Sequence, residues 1–207
     1  GGSIRMPGHD TSTALLLLDL QNEMVDPNGK IGAGGLARVV QERRLLDRVA
    51  AVLGAVRRRG LPVVHVRLGF RPDYLDALSV APRVVRLREA GAAIVGTWGT
   101  EFPPAVAPAD GELVVTKACV NPFFNTGLLT WLLRRGVCRV VLCGVATNLV
   151  VESTARFADD AGFEVVVLED CCASPNPEWH RFSVEQMLPL FGTVTSSEAF
   201  LAKLDRH

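Results

Sequence analysis

Two charged residues stand at the ends of otherwise apolar runs. Asp19 closes TALLLLD and Lys117 closes LVVTK. A carboxylate in such a place can work as a general acid or base, with a pKa set by burial and by any neighbouring cation. An ammonium beside it can hold the carboxylate in position and stabilise negative charge developing on a substrate. Burying the two side by side is costly, so a shared crevice would mark a purpose. Each also has a plainer reading: a turn-capping aspartate, and a solvated lysine at the sheet edge.

A third candidate is Gly144-Val145-Ala146-Thr147-Asn148, which joins an apolar run to a helical pattern. A turn of this kind leaves backbone N–H groups free at a helix N-terminus, where an anion or an oxyanion can sit. An ordinary strand-to-helix turn has the same appearance. It is not a phosphate loop, because neither GxxxxGK[ST] nor GxGxxG occurs in the chain. The histidines His9, His65, His180 and His207 show no metal-ligand spacing, so neither a metal nor a cofactor is expected. His180 reads as a cap or packing residue. Of the cysteines, Cys143 falls inside a predicted strand, and the adjacent Cys171 and Cys172 read as small buried hydrophobes.

The elements that must position these groups follow from periodicity. Short apolar runs at 13–19, 63–68, 113–116, 139–143, 164–168 and 193–195 read as strands. Helical spacing covers 36–59, a short stretch near 84–88, 126–135, 147–161, 177–191 and 197–204. The first of these ends at Gly60 after Arg57, Arg58 and Arg59, cations that suit a helix C-terminus. Residues 69–108 are the least regular part, and a stretch of that length is usually functional, disordered or a misread element. Strands alternating with helices, each strand a nearly continuous Val/Leu run, predict a single-domain α/β fold: a mostly parallel sheet sandwiched between helices in three Rossmann-like layers. In open sheets of this type ligands sit at the carboxyl ends of the strands. That rule selects Asp19, Lys117, 144–148 and Asp170.

Composition agrees with a globular enzyme or binding domain. The chain has 207 residues, 48% of them hydrophobic and 21% charged, which is too apolar for disorder. Lys and Arg number 22, as do Asp and Glu, so there is no electrostatic footprint for nucleic acid or for an anionic membrane. No apolar run reaches the ~18–20 residues of a membrane span. Residues 1–12 read as a tag remnant with an N-terminal tail, Gly1-Gly2-Ser3 resembling a cloning scar and Met6 a native start; 13–207 read as the domain. The odd cysteine count, 5, fits a reducing, cytoplasmic setting better than a disulfide framework.

The stretches LLLLDLQNEMVDPNG, VVTKACVNPFFNTGLLTWLLRRGV, VVLCGVATNLVVESTARFADDAGFEVVVLEDCCAS and EWHRFSVEQMLPLFGTVTSSE, in this order, resemble the isochorismatase-like hydrolase superfamily, which includes the cysteine hydrolases. The resemblance covers nearly the whole chain. It implies a single α/β domain, a homodimer or homotetramer, and a small-molecule substrate. In the amidase branch an Asp, a Lys and a Cys form a triad. The resemblance assigns the first two to Asp19 and Lys117. The third falls two residues after the Asn of GVATN, and there this chain has Val150. A valine cannot form a thioester. The family also implies a cis peptide at Val145–Ala146 that turns backbone N–H groups towards a substrate carbonyl. A cysteine-free branch protonates a vinyl ether with the Asp and lets water attack the resulting cation. The closing helix and FGTVTS look more like the amidase and ureidohydrolase branch.

Four readings follow. The chain is a hydrolase that uses Asp19 as general acid or base with Lys117 and no thioester. Alternatively it is an amidase or ureidohydrolase whose nucleophile was replaced by Val150, or a non-catalytic binding homologue. In the last, the nucleophile is displaced to Cys119, two residues after Lys117. Met24, Trp98, Phe123 and Phe124 are expected as walls of the substrate pocket, together with Val145, Ala146 and Thr147, and 69–108 is expected to set specificity.

Overall fold

A computed structural model describes residues 12–206. The tag-like opening, Met6, His9 and His207 lie outside the described residues. In chain order the main elements are β1 (Thr13–Leu18), α1 (Asn22–Val25), α2 (Leu36–Glu42), α3 (Leu45–Arg58), β2 (Val63–Leu68), α4 (Pro82–Ala90), β3 (Leu113–Lys117), α5 (Leu128–Arg134), β4 (Arg139–Val145), α6 (Glu152–Asp160), β5 (Glu164–Ala173), α7 (Pro177–Phe182), β6 (Thr193–Thr195) and α8 (Ser197–Leu204). The six strands form one sheet in the order β3-β2-β1-β4-β5-β6, and every neighbouring pair is parallel. This is the predicted α/β architecture. Among the described residues no helix is long and apolar enough to cross a membrane.

β1 is buried along its whole length, which is why it reads as a continuous leucine run rather than an alternating one. Its side chains still alternate between two cores. Leu15 and Leu17 join Val49, Val52 and Leu53 of α3 on one face. Ala14, Leu16 and Leu18 join Leu128, Leu132, Ala155 and Ala158 of α5 and α6 on the other. The sheet therefore lies between two helical layers, and burial on both faces fixes strand register strongly.

Several predicted boundaries move, each for a local reason. The single helix expected over 36–59 is two, broken at Arg43 and Arg44. Arg44 is left-handed (φ 51°), and Arg43 turns inward to donate to the Glu169 carbonyl at 2.9 Å. The helix near 84–88 runs from Pro82 to Ala90; its proline sits in the first turn, where a missing N–H costs nothing. The fifth strand does not stop at 168. After an irregularity between Leu142 and Gly144 it resumes pairing with β4 as far as Ala173, so Asp170, Cys171 and Cys172 lie within a strand. The helix expected over 177–191 breaks into α7, a wide turn and a 3-10 turn that contains Pro189.

Candidate active site

The chain runs outward through β1, β2 and β3 and then crosses back to β4, so the topological switch lies between β1 and β4. A crevice opens there at the carboxyl ends of the strands. Asp19 is the first residue after β1, in the left-handed region (φ 58°), where aspartate is tolerated better than most residues. Its N–H donates to the Val66 carbonyl at 2.9 Å, which ties the turn to β2. Lys117 ends β3, two strands away, and its side chain reaches past the end of β2. The ammonium donates to Asp19 Oδ2 at 3.0 Å and to the Cys119 carbonyl at 2.8 Å. The two residues are 4% and 3% exposed, so the pair is essentially dry.

The other carboxylate oxygen, Asp19 Oδ1, is buried and has no hydrogen-bond partner. Burial pushes the Asp19 carboxyl above its ordinary value, and the charge and hydrogen bond of Lys117 offset only part of that rise. The protonated acid therefore persists to higher pH than in a free aspartate. An unsatisfied oxygen on a buried carboxyl is costly unless something else supplies the missing partner.

The residues that follow Asp19 brace it. Gln21 is fully buried and pairs with both backbone groups of Leu68, donating to its carbonyl at 2.8 Å and accepting from its N–H at 2.7 Å. The Glu23 carboxylate accepts from the N–H groups of Lys30 (2.7 Å) and Ala93 (2.8 Å). Gly99 packs so closely on it that a Cβ there would fall 2.2 Å from Glu23 Oε2. Neither role was drawn from the sequence. The signal was the run DLQNE, polar residues in the turn directly after a fully buried strand.

On the β4 side, Gly144 lies against Leu18, and a Cβ there would fall 2.2 Å from the Leu18 carbonyl oxygen. Only glycine lets the two strand ends approach this closely. The Val145–Ala146 peptide is cis. A wide turn, Thr147–Val151, then leads into α6. Thr147 is fully buried, its hydroxyl 2.7 Å from His180 Nδ1, and His180 Nε2 lies 3.4 Å from Arg43 Nη2. Burial, reinforced by the Arg43 charge, lowers the His180 pKa, so a neutral imidazole anchors the turn. Asn148 Oδ1 accepts from Ser174 at 2.8 Å.

A cavity of about 480 Å³ occupies the crevice, with Asp19 and Lys117 on its floor. Met24, Val145, Ala146 and Val150 line it. Val150 is 2% exposed and also packs into the core between the sheet and α6. The other expected wall residues lie elsewhere. Thr147 stays behind the wall, held by His180. Trp98 is half exposed at a separate depression beside Asn22 and Phe102. Phe123 is core, stacked on Phe157 with ring centroids 4.4 Å apart. Phe124 is exposed and borders a neighbouring depression that shares only the Lys117–Cys119 edge. Aromatic type alone does not tell a pocket wall from a core or rim residue. Walls not foreseen include Leu68 at the end of β2, Phe70 just after it, Arg83, Arg86 and Leu87 from α4, and Trp179 from α7.

Cys119 is partly buried at the cavity edge. Its thiol donates to the Asn121 carbonyl at 3.2 Å, and burial raises its pKa. Among the described residues no three His, Cys, Asp or Glu side chains gather as metal ligands.

The isochorismatase domain model matches residues 13–199. The chain is 32% identical over 193 residues to the isochorismatase family protein YecD of Escherichia coli O157:H7, covering 93% of this chain and 96% of YecD. It is 31% identical over 206 residues to the ureidoacrylate amidohydrolase RutB of Methylobacterium radiotolerans, covering 93% of this chain and 80% of RutB. Among solved structures, an isochorismatase family protein from Burkholderia thailandensis superposes with a TM-score of 0.78 at 31% identity, over 97% of this chain and 100% of that one. Sequence, fold and a strand-end crevice that holds a buried Asp–Lys pair agree: the chain belongs to the isochorismatase-like family of hydrolases.

Proposed function

We propose that the protein hydrolyses a small amide, ureide or vinyl ether with Asp19 as general acid and base, Lys117 as its partner, and no thioester intermediate. One observation carries this reading: Asp19 Oδ1 is buried at the floor of a ligand-sized cavity and has nothing to bind. The protonated carboxyl can donate to a leaving nitrogen or to an enol carbon. Water then adds to the electrophilic carbon and returns its surplus proton to the carboxylate, which regenerates the acid. The adduct collapses with cleavage of the C–N bond, the nitrogen leaving with the donated proton, or, for a vinyl ether, of the C–O bond, the leaving oxygen taking the adduct's hydroxyl proton. Lys117, 3.0 Å from Oδ2, stabilises the carboxylate in the interval. The amidohydrolase name of RutB favours a C–N bond as the one broken.

Val150 stands where the triad cysteine would be, and its place on the cavity wall fits a site that does without a thiol. Cys119 is a poor substitute, since its thiol is bonded into its own loop and a raised pKa reduces the thiolate. The test is a screen of amides, ureides and vinyl ethers before and after iodoacetamide. Hydrolysis that survives alkylation supports the reading. Loss on alkylation of Cys119 moves the nucleophile there, and no hydrolysis of any class favours a binding homologue. Val150→Cys sharpens the result. A thiol placed on the wall of the cavity that Lys117 also lines, in the turn that leads into α6, should be alkylated faster than the native cysteines and should gain measurable amide or ureide hydrolysis.

A further inference from the structure

The cavity is charged unevenly. Its lining carries Asp19 as the one carboxylate and four cations, Lys30, Arg83, Arg86 and Lys117. Lys117 is matched by Asp19. The Lys30 ammonium donates to the Gly91 carbonyl at 2.9 Å and so pins the C-terminal end of α4. Arg83 and Arg86 remain. They lie three residues apart on α4, a spacing that puts them on one helix face, and among the described residues neither guanidinium has an ion-pair or hydrogen-bond partner. Most arginines elsewhere are engaged: Arg57 with Glu112, Arg71 with Asp73, Arg48 with Asp170.

Between these cations and Asp19 the walls are apolar, with Val84, Leu87, Phe70 and Leu149 among them. A cavity with a dry acid–base pair at one end, hydrocarbon in the middle and two unmatched guanidinium groups at the rim fits an amphipathic anion. Arginine presents a planar fork that binds a carboxylate through two parallel hydrogen bonds, and such charge-assisted bonds are about twice as strong as neutral ones. Two cations at an apolar mouth also raise the local concentration of anions. The helix that carries them is a firm platform: Pro82 opens it, Gly91 closes it in the left-handed conformation, and Lys30 ties down that end.

We infer that Arg83 and Arg86 form a carboxylate-recognising rim, so that the substrate is a small acid whose apolar body reaches back to Asp19. The orientation relative to Asp19 rests on the hydrolase reading; the recognition of the acid group does not. The test is therefore a binding measurement. Isothermal titration compares 3-phenylpropanoate with the neutral, non-hydrolysable analogue 3-phenylpropan-1-ol on the wild type, on the R83Q/R86Q double variant, and on Arg88→Gln, a same-helix control that does not line the cavity. The carboxylate should bind the wild type at least about tenfold more tightly than the alcohol. The preference should fall to about twofold or less in the double variant, persist in Arg88→Gln, and shrink as salt is raised because rim charges are screened. Circular dichroism checks that the double variant is folded, as expected for exposed positions. Equal binding of acid and alcohol, a preference that survives in R83Q/R86Q, or no carboxylate binding by the wild type at millimolar concentration overturns the inference. If the preference holds while the hydrolysis screen fails, the hydrolase reading falls and the acid-binding rim stands.

Discussion

The third strand is bracketed by two carboxylate clusters, one buried and one partly buried, that behave in opposite ways. At its exit, Lys117 meets Asp19. At its entrance, Glu112 meets Arg57 and His65. Glu112 is saturated: Oε1 accepts from Arg57 Nη2 (2.7 Å), His65 Nε2 (2.9 Å) and the Ala109 N–H (2.9 Å), and Oε2 accepts from Arg57 Nε (2.9 Å). Burial alone would raise its pKa, but these donors outweigh burial and hold it at about 2. Asp19 receives one side-chain donor, keeps Oδ1 empty and is pushed upward. A carboxylate with both oxygens held by protein donors is committed to the fold, and it ties α3 to β2 and β3. One left half-satisfied in a cavity gives up stability for the ability to exchange a proton.

The largest expected effect is on turnover. Asp19→Asn keeps an acceptor for Lys117 and removes the exchangeable proton, so kcat should fall by about a thousandfold or more while the fold persists. Steady-state kinetics alongside a melting curve check this, and unchanged kcat would remove Asp19 from the chemistry.

The converse variant should move stability. Glu112→Gln loses charge-assisted bonds to Arg57 and weakens the one to His65, a cost of about 2 kcal/mol. Urea unfolding should show that loss, with kcat per folded molecule unchanged. If Glu112→Gln abolished turnover instead, the division between a structural and a catalytic carboxylate would be wrong.

Smaller effects separate the clusters by pH. The folded-state pKa of Glu112 is depressed from 4.5 to about 2, so its contribution is present above about 4.5 and is lost as pH falls towards 2. Glu112→Gln should flatten that acid limb of stability. Asp19 has the opposite sign. Its folded-state pKa is raised, so the folded chain keeps a proton that the unfolded chain has released, and its contribution declines as pH rises from 3.8 through the raised value. Asp19→Asn should remove this decline. In the wild type, kcat for a general-acid step should also fall as pH rises through the raised Asp19 value, and a flat profile there would count against proton donation by Asp19.

Much of the frame was open to sequence reasoning. TALLLLD and LVVTK announce strands that end in charge, and the alternation of strands and helices dictates a parallel sheet with its ligands at the carboxyl ends. These are local or periodic properties. The failures have local physical causes too. Nothing in 36–59 marks the break at Arg43, because the partner that draws that side chain inward is the backbone of Glu169, more than a hundred residues away. The continuation of β5 past 168 depends on pairing with β4 beyond an irregular step.

Sequence by itself determined the fold class, the family resemblance and the identity of the Asp–Lys pair, since buried runs, caps and turns are set by near neighbours along the chain. Tertiary structure alone decided that one oxygen of Asp19 stays empty, that Val150 faces the cavity while Trp98 and Phe123 do not, and that Arg83 and Arg86 stand unmatched at its mouth. Whether a group is satisfied depends on every donor and acceptor that the folded chain brings within about 3 Å of it. The partner that holds Asp19 lies 98 residues away along the chain.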